Sequence, residues 1–263
     1  MKQSKWFFII YLVATILPLS SVSHAEKWKE LKGDHFIIYH AGAESSAKEI
    51  LRNSEKYYKR IATELGYQRY SDFWTWDNRV GIYMYPNKKA FLRATGQPEW
   101  SEGMADYTNK KIFGYAGSER FVGSILPHEM AHLVFRDYVG FTGEVPLWLD
   151  EGVAQWMESI KRELFKAVAG NLIKSGEFIP FKNMMSMDIR SEREGKTVDA
   201  YYIEAVSLVG FLINKYGGGR FIEFCRQLRD GKSLNEALPF VYPTSIRDLD
   251  DLEKKWKEYI LAE

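Results

Sequence analysis

Apolar positions alternate between two periods along the first half of the chain. Residues 35–40 (His-Phe-Ile-Ile-Tyr-His) form a short β-prone run, and residues 44–65 follow with Leu51, Tyr58, Ile61 and Leu65 at helical spacing. Residues 80–85 alternate small and bulky groups and predict a second strand, broken by Pro86-Asn87 before a helical pattern over 88–95. A further short strand is expected at 111–116, between turns at Asn109-Lys110 and Gly117-Ser118. Beyond Phe121 nearly every segment has helical periodicity. Residues 200–216 predict one helix, closed by Gly217-Gly218-Gly219, and 248–261 another, with Leu249, Leu252, Trp256 and Ile260 as its buried stripe. The pattern predicts a mixed α/β first half and a helical second half, without repeats or a Pro/Gly/Ser-rich linker.

Composition fits this picture: with 46% hydrophobic and 27% charged residues the chain is of ordinary globular type. Its formal net charge of +1 leaves nucleic acid without an electrostatic footprint. The N-terminus has two lysines within Met1–Lys5, an apolar run over 6–19 and small residues ending Ser23-His24-Ala25. That is the layout of a secretory signal peptide with cleavage expected after Ala25, so a secreted or periplasmic protein is expected. The apolar run is shorter than the roughly 20 residues a spanning helix needs, so no permanent membrane anchor is expected. Cys225 is the only cysteine, which rules out an intramolecular disulfide, and its helical apolar setting reads as a buried small group.

The chemistry concentrates in Leu126-Pro127-His128-Glu129-Met130-Ala131-His132, which contains His-Glu-x-x-His. Residues i and i+4 share a helix face with Cβ atoms about 5–6 Å apart, so the imidazoles of His128 and His132 can converge on one zinc ion. Glu129 stands beside that face, where a carboxylate can act as general base without occupying a coordination position. A catalytic zinc needs a third protein ligand. The metzincin pattern would place a glycine three residues and a histidine six residues after His132, but Phe135 and Tyr138 stand there. No histidine follows His132, so a carboxylate is expected, and Glu144, Asp150 and Glu151 are available. Pro146 suits the start of a helix carrying Glu151, 19 residues past His132, after a first helix ending near Gly140.

Trp148-Leu149-Asp150-Glu151-Gly152-Val153-Ala154 after His-Glu-x-x-His resembles the gluzincins, the superfamily of thermolysin and the zinc aminopeptidases, and within it the small bacterial peptidase MA-like domains. The resemblance implies an α+β, zincin-like (thermolysin-like) catalytic domain over 26–263. Its first lobe, 26–136, would hold a mixed sheet with helices and the active-site helix, and 137–263 would form a mostly helical lobe. It further implies Glu151 as third ligand to a single zinc ion, Glu129 as base, and a peptide or protein substrate. Zinc aminopeptidases stabilise the oxyanion with a tyrosine that opens a later helix in a Tyr-x-x-Ala or Tyr-x-x-Gly setting. Here that maps onto Tyr202, with Tyr201 second. The strand at 111–116 resembles the gluzincin edge strand that pairs with extended substrate. The aminopeptidase motif Gly-x-Met-Glu-Asn has no match in Gly103-Met104-Ala105-Asp106, so exopeptidase specificity is not implied. Trp74, Trp76 and Trp100 are pocket candidates. The expected function is a zinc metallopeptidase. A zinc hydrolase with another substrate and a non-catalytic peptide-binding envelope module are the alternatives.

Overall fold

The computed structural model describes residues 28–66, 74–141, 145–192 and 194–262. The signal segment and its cleavage site after Ala25 lie outside the described residues, as does Glu144. The chain divides into two compact units, one of 28–58 and 74–130, the other of 59–66 and 131–262.

The first unit is built on a five-stranded sheet. Its elements are β1 (Lys29–Lys32), β2 (Phe36–His40), helix α1 (Glu44–Glu64, which continues into the second unit), β3 (Val80–Tyr85), helix α2 (Lys88–Thr95), β4 (Met104–Asp106) and β5 (Lys111–Tyr115). Strand order is β1-β2-β3-β5-β4. The central pairs β2/β3 and β3/β5 are parallel, connected through α1 and α2, whereas β1 and β4 are antiparallel edges. In register, Ile38, Ile82 and Ile112 cross the middle of the sheet, all fully buried, and each such side chain contributes about 1.5–3 kcal/mol. The Asn87 side chain accepts from the Ala90 amide at 2.9 Å and starts α2; Gly96, at φ 68°, ends it.

Two expectations change here. Strand β1 has the sequence Lys-Glu-Leu-Lys and was not anticipated, because a mostly exposed edge strand carries no apolar alternation. Strand β5 is not an edge: it pairs with β3 on one side and β4 on the other, so the outer strand is the three-residue β4. Of the three tryptophans, Trp74 is buried against Phe36 and Tyr58, while Trp76 is 80% exposed.

Residues Phe121–Ile125 form a π-helical turn that runs directly into α3 (Leu126–Val139), which carries the chain from the first unit into the second. Gly140, at φ 82°, terminates it. The second unit is helical: α4 (Leu147–Trp156), α5 (Ser159–Ser175), α6 (Phe181–Met184), α7 (Gly195–Tyr216), α8 (Gly218–Arg229), α9 (Leu234–Val241) and α10 (Leu249–Leu261). Helix α7 begins five residues before the expected start and is buried along most of its length. On α10, Leu252, Trp256 and Ile260 are buried as the stripe predicts, while Leu249 at the helix start is only half-buried; Trp256 Nε1 donates to Ser207 Oγ at 2.9 Å. Cys225 is a free thiol in this core. Burial pushes its pKa well up, which removes it as a nucleophile. The fold is α+β, as expected. No helix among the described residues is long and apolar enough to cross a membrane.

Candidate metal centre

Helix α3 places His128 and His132 one turn apart on the same face, and both are buried. Leu126, Met130, Leu133 and Val134 are buried around them and fix the helix. Pro146 precedes α4, whose first turn carries Asp150 and whose second begins at Glu151; both carboxylates are buried. His128, His132 and Glu151 each offer one ligand atom, and these atoms lie within 4.8 Å of one another. Two imidazoles and one carboxylate, all buried and converging, form a donor set suited to a catalytic zinc, and the group could hold a metal ion.

Asp150, the neighbouring carboxylate, is absent from this group and does something else. Its Oδ1 lies 3.1 Å from His132 Nδ1, and its Oδ2 accepts from Arg136 Nη2 at 2.7 Å. Burial by itself would raise the Asp150 pKa, but His132 and Arg136 outweigh it and hold the carboxyl down at about 2. A carboxylate only accepts hydrogen bonds, so Asp150 favours the His132 tautomer with its proton on Nδ1, which leaves Nε2 for a metal. The sequence carried a signal for this arrangement: His132 and Arg136 stand four apart on one helix, and an acid immediately precedes Glu151. As a carboxylate adjoining Glu151, Asp150 has the look of a competing ligand in sequence, which masks its place behind His132.

Glu129 is fully buried next to His128. Tyr202 is buried on α7, and its ring meets that of Tyr201 edge-on at 5.7 Å. Burial pushes the Tyr202 phenol pKa strongly up, and the Glu151 carboxylate pushes it further in the same direction. The Tyr202 hydroxyl therefore feels the charge of the third candidate ligand and stays protonated. One detail departs from expectation: Tyr202 does not open a helix but lies well inside α7, which starts at Gly195.

A family model for the Peptidase MA superfamily matches residues 74–262, most of the chain and all of the candidate centre. The chain belongs to the Peptidase MA superfamily. Peptidase MA proteins are hydrolases of peptidase type, which agrees with a buried metal-competent donor set on two helices. A comparison with curated proteins found no match.

Proposed function

We propose that this chain is an exported zinc metallopeptidase in which His128, His132 and Glu151 hold one zinc ion, Glu129 is the general base and Tyr202 the oxyanion donor. The observation that carries this reading is the convergence of those three buried ligands in a Peptidase MA domain. Bound zinc would polarise the substrate carbonyl and acidify water, chemistry that no side chain here supplies alone. Glu129 takes the proton of the attacking water and returns it to the leaving amine. The Tyr202 phenol, kept protonated, donates to the oxygen on which negative charge develops. Asp150 fixes the orientation and tautomer of His132. The outer side of β4, where a sheet neighbour ends, offers backbone groups for pairing with an extended peptide. Export rests on the layout of residues 1–25.

Two measurements test this reading. Metal analysis of the purified protein is expected to give about one zinc per chain, and a peptide-library digest to show cleavage that chelation abolishes and zinc restores. The positions cleaved separate endo- from exopeptidase action. A protein that takes up zinc and cuts no peptide sequence in the library would support a non-peptide substrate or a binding role instead.

The Asp150 arrangement makes its own prediction. Asp150→Ala should weaken zinc binding by about 10–100-fold, and Asp150→Asn, which retains an acceptor for the imidazole, by less. Competition titration with a zinc chelator reads both values, and equal affinity in the alanine variant would remove Asp150 from the centre.

A further inference from the structure

A cavity of about 170 Å³ lies wholly in the first unit, where the parallel strands β2, β3 and β5 present their carboxyl ends. None of His128, Glu129, His132 and Glu151 lines it. Open α/β sheets hold ligands in this position, in the crevice beyond the strand ends.

Ala47, Ile50, Met84 and Phe121 give the cavity an apolar floor, and Glu49 and Ser118 stand at its rim. His40, the last residue of β2, lines it and is only 4% exposed. Its Nδ1 lies 3.1 Å from the Gly42 carbonyl oxygen. A carbonyl can only accept, so Nδ1 bears the proton and donates, and the lone pair of the neutral ring is on Nε2. Nε2 has no partner among the described residues. That atom is accessible rather than sealed in the core, so a donor group entering the cavity that His40 lines can reach it.

Size and charge narrow that group. An apolar cavity of about 150 Å³ accommodates a benzene-sized ring, so this one holds a ring or a branched group of similar bulk. The Glu49 carboxylate at the rim disfavours anions, and the apolar floor penalises a charged ammonium. We propose that the cavity binds a ring-sized apolar group bearing one neutral hydrogen-bond donor, as a phenol does, with its hydroxyl donating to His40 Nε2. Such a group can arrive as a free phenolic compound or as the side chain of a tyrosine in a peptide.

The test titrates the protein, labelled with ¹⁵N at histidine, with p-cresol, toluene and N-acetyltyrosinamide. p-Cresol is expected to shift the His40 Nε2 resonance saturably and to bind about five- to tenfold more tightly than toluene, the contribution of one hydrogen bond. Saturation by p-cresol alone supports a free small molecule; saturation by N-acetyltyrosinamide as well supports a peptide side chain. His40→Phe, which keeps a ring and loses the acceptor, should abolish the preference for p-cresol over toluene. If that variant does not fold, the comparison of p-cresol with toluene in the parent protein decides alone. Equal binding of p-cresol and toluene, or saturation without movement of the His40 resonance, overturns the proposal. None of these readouts requires zinc or peptidase activity, so the outcome is independent of the metal centre.

Discussion

Glu129→Gln is expected to retain about one zinc per chain while lowering kcat on a cleavable peptide by about 10²–10⁴-fold, the usual contribution of a positioned general base. Glutamine has the shape and volume of glutamate, so the fully buried position next to His128 stays filled and α3 keeps its packing. What disappears is the capacity to take a proton from the attacking water. Glu129 stands outside the group of side chains whose ligand atoms converge, so the metal should be unaffected. KM should change little, because the lost interaction belongs to the transition state and not to substrate binding. Metal content and steady-state kinetics on one preparation check both halves. A glutamine variant as active as the parent removes Glu129 as the base, and one that also loses zinc makes it part of the metal site instead.

The two halves of that prediction draw on different layers of the sequence. The His128/His132 pair and the neighbouring Glu129 were legible because one helical turn fixes their relation, and helix geometry varies little with context. Glu151 is legible through Pro146 and the resemblance carried by residues 148–154, and the structure brings its carboxylate to the two imidazoles. The position of Asp150 behind His132 depends on how α3 and α4 pack, which spacing alone does not encode. The sheet was legible at its centre, where β2, β3 and β5 have apolar faces to bury. It is illegible at its edges: β1 has no apolar alternation and β4 has three residues, so the pattern makes β5 the edge that β4 in fact occupies. The π-helical turn ahead of α3 had no signal in the pattern, since a five-residue turn is too short to show a period of its own.

Packing that spacing cannot reveal is most exposed at Gly152, the residue after Glu151, and Gly152→Ala is the sharpest test of how α4 is held. A Cβ there would meet the Ala205 backbone oxygen of α7 at 2.6 Å and Val209 Cγ2 at 2.8 Å. A backbone oxygen within a helix cannot turn aside as a side chain can, so α4 and α7 must separate. Overpacking of this kind costs about 1–3 kcal/mol. Alanine returns at most about 1 kcal/mol in helix propensity, so the clash is expected to win and the melting temperature to fall. The larger consequence is functional: the shift moves Glu151 away from the histidines, and a displacement of about 1 Å can cost about 10²-fold in rate. Gly210→Ala provides the control. Its Cβ would meet the Trp156 ring, farther along α4 from Glu151, so it should destabilise the same helix pair while sparing activity per folded molecule. Thermal melting together with kcat/KM normalised to zinc content separates the two effects. Gly152→Ala that is as stable and as active as the parent would show that the α4–α7 contact has slack, and that Glu151 is held in place by something other than the close approach of these two helices.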